Sequence, residues 1–318
     1  MPGRGRTPSG RRRVAIYLTA AVVIGWFVLP LLPVIAWAIA DRWPYPSALP
    51  QELGVRGWES VWTAGTARAV ASSAALGILV AVAATVLGSA AGRAIGWRLT
   101  RHPAVAALLL LSPVALPPFA VAVGLSAVVL RAGIPEPAAV LATLTVYALP
   151  YTTYVVAARY TALEPGAEEQ ARLLGATKWQ ALRHVTLPAL RPAIAAAMFL
   201  AFLVGWSDYV VTLVVGGGQL VTLPMLIGAA ASGTGNEPAV AALSLLSVLP
   251  PLLALLLGRL ASDRLGTDRP STSSEQSAEG RAFPQAPAPV RAGTHALQTQ
   301  LAAQSRDTFA EGRLHDQS

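Results

Sequence analysis

Six runs of apolar residues, each about 20 residues long or more, dominate this sequence: 14–40, 68–94, 105–130, 138–158, 194–215 and 239–257. As helices at 1.5 Å per residue, runs of that length match a hydrocarbon core roughly 30 Å thick. In lipid the backbone must satisfy its own hydrogen bonds, so helices are the economical spanning form for such runs. Composition agrees: 54% of the residues are hydrophobic and 13% charged, against about 25% charged in soluble domains. The expected fold is an all-α polytopic membrane protein with six transmembrane helices.

The basic residues orient it. Five Arg lie in the arm 1–13, and Arg93, Arg98 and Arg101 follow the second run. Arg159, Arg172, Lys178, Arg183 and Arg191 lie between the fourth and fifth runs, and seven more Arg begin at Arg259. The opposite side receives only Arg42, Arg56, Arg68 and Arg131. Positive residues concentrate in cytoplasmic loops, so both termini are expected inside. The net charge of +8 thus follows topology and does not call for nucleic acid. Because 14–40 is longer than a signal-peptide core, it reads as an uncleaved first span. The polar segment 262–318 reads as a disordered cytoplasmic tail. The chain contains no cysteine, so neither disulfides nor thiolate metal sites arise.

The connection 163–192 is too long for a simple link and dense in helix signals. Pro165 sets a first turn, with Glu168 and Glu169 at its favourable end. Gly175 closes that helix. Thr177-Lys-Trp-Gln180 fits a capping box that opens a second short helix. Leu187-Pro188 should end the second helix, and Pro192 should start the fifth span. Ala171, Leu174, Trp179, Leu182 and Val185 make one apolar stripe. By spacing alone it suits a lipid surface, a groove in a partner, or a packed connector.

The spacing Glu169-Gln170-Ala171, three residues, Gly175, nine residues, Val185-x-Leu187-Pro188 resembles the EAA loop of ABC importer permeases. Gln170 replaces the usual Ala and Val185 the usual Ile. The resemblance covers about 66–258 and implies a type-1 permease fold nearest the polyamine, iron and sulfate types. It further implies that Glu168, Glu169, Ala171, Gly175, Val185, Leu187 and Pro188 form the loop coupled to a cytoplasmic ABC ATPase dimer. The other implied partners are a second permease, identical or paralogous, an extracytoplasmic solute-binding protein and the bilayer of a bacterial inner membrane.

The sequence supplies no energy source of its own, because it lacks a G-x-x-x-x-G-K-[ST] phosphate loop. No catalytic residue, cofactor or metal set is expected: His102, His184, His295 and His315 are scattered, and Gly205-Trp-Ser-Asp-Tyr209 lacks the second Gly of a nucleophile elbow. The expectation is a non-catalytic subunit. An ATP-independent secondary transporter is the rival, although it should show two repeated halves and several intramembrane charges.

Polar and helix-breaking residues within the spans mark a candidate path. Asp208, with Trp206 and Tyr209, is the foremost, though it could instead be paired structurally, or lie near an interface if the fifth span begins and ends differently. Pro113, Pro117, Pro118, Pro150, Pro250 and Pro251 should interrupt helices, as path-lining breaks or bundle kinks. Gly88, Gly92 and Gly96 suit close helix packing. The segment 216–227 resembles the family's gate region, or is a surface loop with a lipid-touching turn. An acid beside aromatics suits a polyamine such as spermidine or putrescine; iron, sulfate, thiamine or phosphonate are the alternatives.

Overall fold

A computed structural model describes residues 10–44, 46–163 and 166–266. The arm before Gly10, Pro165 and the tail beyond Gly266 lie outside the described residues. The chain divides into two units after Leu265, and the first holds the helical bundle.

Three long helices form the centre: α4 (Ala64–Gly96), α7 (Glu136–Thr161) and α10 (Leu187–Ser207). α4 and α7 approach closely because Gly88, Gly92 and Gly96 lie under Thr152, Val156 and Tyr160; a Cβ at any of the three would overlap the facing helix. The Thr152 hydroxyl donates to the Ala84 carbonyl across this seam at 3.0 Å. Small residues and one interhelical hydrogen bond replace the hydrophobic drive that is absent between helices in lipid. Outward, Leu79, Leu87, Leu108 and Leu130 are exposed. Such apolar area is costly against water and neutral against lipid.

Among the described residues, four helices are long and apolar enough to cross a membrane: α4, α7, the continuous helix Lys178–Ser207, and Glu237–Gly258 within α13 (Glu237–Gly266). The third run is not straight. α5 (Pro103–Ala115) and α6 (Pro118–Ala132) meet at 92°. Leu116 and Pro117 both leave the helical region, with ψ of 139° and 121°. The residue before a proline is pushed away from αR. Pro113, Pro150, Pro250 and Pro251, also expected to interrupt helices, instead lie inside them. Proline alone therefore does not decide a break; the packing around each site does.

The first run is likewise two helices, α1 (Gly10–Val28) and α2 (Leu31–Ala38), parted at Leu29-Pro30. Beyond α2, β1 (Ala40–Arg42) pairs antiparallel with β2 (Glu52–Leu53). Asp41 accepts the Arg56 N–H that opens α3 (Arg56–Glu59).

The fifth run also departs from expectation at both ends. Its helix begins with α9 (Lys178–Ala181) and passes through a π-helical turn, Leu182–Thr186, into α10. Leu187-Pro188 therefore does not end the second short helix. The wider π turn closes Leu187 N–H onto the Leu182 carbonyl, so the chain reaches Pro188, which has no N–H to give, without losing its axis. At the far end the helix stops at Ser207, and α11 (Val210–Val214) is separate.

Candidate functional site

On the connection between α7 and α10, α8 (Gly166–Leu173) carries Glu168 and Glu169 in its first turn, where the helix dipole favours negative charge. Its end is a Schellman motif. Gly175 N–H donates to the Arg172 carbonyl and Ala176 N–H to the Ala171 carbonyl, both at 3.0 Å. Gly175 has φ +95°, a left-handed conformation that costs other residues about 1–2 kcal/mol. The chain then reverses into the Thr177/Gln180 capping box that opens α9. Both halves of the box form: Gln180 N–H donates to Thr177 Oγ1 at 3.3 Å and Thr177 N–H to Gln180 Oε1 at 2.8 Å.

The two adjacent glutamates diverge. Glu168 turns inward, its side chain 13% exposed, and takes Arg93 of α4 at 2.9 and 3.2 Å. Its second oxygen also accepts the Thr186 hydroxyl at 3.2 Å. Arg93 lies over the Trp97 ring at 4.8 Å, and Trp97 donates its indole N–H to the Tyr160 carbonyl. One carboxylate thus joins α4, α8 and the π turn. Glu169 faces outward. With Arg172, Leu173, Ala176, Thr177 and Lys178 it lines a recess of about 560 Å³. Leu173 and Leu174 are 87% and 90% exposed at the corner.

The expected apolar stripe is divided. Leu174 is exposed beside Gly175, Ala171 and Val185 are half-buried, and Trp179 and Leu182 turn toward α4. Leu187 is partly exposed and Pro188 half-buried, both in the second arm. Sequence reading missed Arg93 as a member of this site, because the pair is 75 residues apart and no local spacing announces it. It also missed Leu173, which the doublet Leu173-Leu174 could have flagged.

The path residues separate as well. Asp208 is half-buried at the break after α10 and caps α11: Thr212 donates both its N–H and its hydroxyl at 2.8 Å, and Val211 N–H lies at 3.4 Å. Asp208, Tyr209 and Pro118 line a cavity of about 470 Å³, together with Pro113, Tyr147 and Tyr151. Tyr147 presents a buried hydroxyl with no hydrogen-bond partner among the described residues. Trp206 is not part of this wall. It is buried, stacked on Phe202 and donating to the Ser247 carbonyl at 2.9 Å. Pro117 makes the bend but does not line the cavity.

Beyond α11, Gly217 and Gly218 have φ of 55° and 80° and lead into α12 (Leu223–Ala231). Leu223 is fully buried, and its N–H donates to Ser73 Oγ of α4 at 2.8 Å. This apolar turn packs on the bundle.

A family model described as "binding-protein-dependent transport system inner membrane component" matches residues 84–267. The chain belongs to that family. As a family member it is 34% identical over 125 residues to an ABC transporter permease protein of Streptomyces antibioticus, covering 38% of this chain and 54% of that one. It is 31% identical over 114 residues to the spermidine/putrescine transport system permease protein PotC of Haemophilus influenzae (36% and 44%). It is 38% identical over 77 residues to the putrescine transport system permease protein PotI of Escherichia coli (24% and 27%). The matched stretches span about half or less of these relatives' lengths. A solved bacterial ABC transporter involved in the import of the acidic polysaccharide alginate aligns with TM-score 0.54 at 14% identity, over 81% of this chain and 99% of that one. The type-1 permease fold expected from sequence is thereby shown, in a multi-pass membrane protein.

Proposed function

We propose that this chain is the permease subunit of an ABC importer, and that it forms the translocation path while a separate cytoplasmic ATPase dimer drives it. The observation that carries this reading is the elbow at Gly175. It is a doubly capped corner with exposed Leu173 and Leu174 at its tip, tied through Glu168 to α4. An exposed apolar corner fixed to the transmembrane helices receives force from a partner and passes it inward. Glu169, Ala171 and Gly175 form the docking core in this reading, and both termini are cytoplasmic. A second permease and an extracytoplasmic binding protein complete the assembly. The direct test is reconstitution with and without the ATPase. Uptake against a gradient should require both ATP and that subunit, and uptake by the permease alone would favour the secondary-transporter alternative.

The proposed substrate is a polyamine. The relatives named for spermidine and putrescine support it, as does the cavity's chemistry: one carboxylate and three tyrosines line it, and no Lys, Arg or His does. That set favours an organic polycation through charge and ring-face contact over sulfate or phosphonate. Asp208→Asn separates charge from structure, because Asn caps helices about as well as Asp. Uptake of putrescine should fall at least tenfold with unfolding temperature unchanged. Undiminished uptake would exclude Asp208 from substrate recognition.

A further inference from the structure

On the flank of the bundle, away from the cavity at Asp208, a groove of about 640 Å³ runs between α4 and the continuous helix formed by α9 and α10. Val82 and Val86 form one wall, and Leu190, Ile194 and Met198 the other. Val86 and Met198 are exposed along it. At the end nearest the elbow stand Arg93, Trp179 and Arg183. Arg93 is held by Glu168. Arg183 is exposed and has no ion-pair partner among the described residues, and no acidic residue lines the groove.

The dimensions suit one class of occupant. From Arg93 back to Val82 is eleven residues of α4, about 16 Å at the helical rise. The antiparallel wall from Leu187 to Met198 is eleven residues again. Half of a hydrocarbon core roughly 30 Å thick is about 15 Å. The groove is therefore about one leaflet long and mainly apolar, with Thr85 and Ser89 the polar side chains on its α4 wall. It ends in a cation and an indole at the depth where headgroups lie, the level that Trp and Arg prefer.

We propose that this groove binds one anionic phospholipid of the cytoplasmic leaflet, with an acyl chain between α4 and α10 and the phosphate on Arg183. A basic side chain at that depth adds about fivefold to the affinity for an anionic headgroup. The site rests on the membrane orientation proposed above and is independent of the coupling to ATP. Bound there, the lipid fills the gap between α4 and the arm of the elbow. The lipid then adds a contact between that arm and α4, beside the Arg93–Glu168 pair and the continuous helix into α10.

The test is to reconstitute the full-length chain, within its assembled transporter, in bilayers of equal phosphatidylglycerol and phosphatidylcholine, extract it in mild detergent and weigh it intact. One phosphatidylglycerol per chain should remain bound in preference to phosphatidylcholine. Arg183→Gln should weaken that retention about fivefold. Met198→Trp, at a partly exposed wall position, should abolish retention by filling the groove, with the unfolding temperature preserved. Equal retention of the two lipids, or retention indifferent to both substitutions, would overturn the proposal. So would a photo-cross-linker at Met198 that captured protein instead of lipid. None of these readouts depends on transport, so a failed import assay leaves this test standing.

Discussion

Glu168 and Glu169 are neighbours of one chemical type with different work. Glu168 is largely removed from solvent and receives both Arg93 and Thr186. Truncating one partner of such a pair leaves the other charge without compensation. Arg93→Ala should lower stability by about 1–3 kcal/mol; the larger cost seen in fully buried pairs is avoided because Thr186 still donates to Glu168 and water can enter the partly exposed place of Arg93. The exchange Arg93→Glu with Glu168→Arg should recover a good part of the loss, read as a coupling energy in a double-mutant cycle of unfolding midpoints. Additive losses would mean that the two side chains stabilise independently. Glu169 makes no such contact among the described residues and lines an open recess. Glu169→Ala should leave the unfolding midpoint in place while weakening ATPase binding about tenfold. A lowered midpoint with unchanged ATPase affinity would reverse the two roles.

Among the elements, what sequence made legible was what local chemistry encodes. The capping box at Thr177 and Gln180 and the glycine at Gly175 lie within a few residues of the partners they satisfy, and all form where their spacing indicates. The glycines of α4 at four-residue intervals likewise mark the seam with α7. Replacing Gly88 or Gly92 with Leu should lower stability by about 1–3 kcal/mol each, the usual cost of overpacking, as a drop in the unfolding temperature of the purified chain. An unchanged temperature would mean the helices do not meet there. Three features were not legible. Pro188 looked like a stop, yet the π turn before it carries the helix through. Asp208 read first as an acid inside a span and only alternatively as one near its end, and its carboxylate holds the N–H groups of α11 where α10 stops. Pro117-Pro118 gives a 92° bend while Pro250-Pro251 is absorbed, a difference set by neighbours that no window of sequence contains.

For the whole molecule, hydropathy gave the order of the helices but not their continuity. Four of the six apolar runs correspond to helices long enough to span, the third is a bent pair, and the first is broken at Leu29-Pro30. The central claim is that the corner at Gly175 is gripped from the cytoplasm by another subunit. Because the chain has no cysteine, a single Leu174→Cys substitution gives an unambiguous probe at the exposed tip. A membrane-impermeant maleimide should label the Cys-bearing chain only in inside-out vesicles, and the cognate ATPase should suppress that labelling. Labelling from the outer face, or labelling indifferent to the ATPase, would contradict the account.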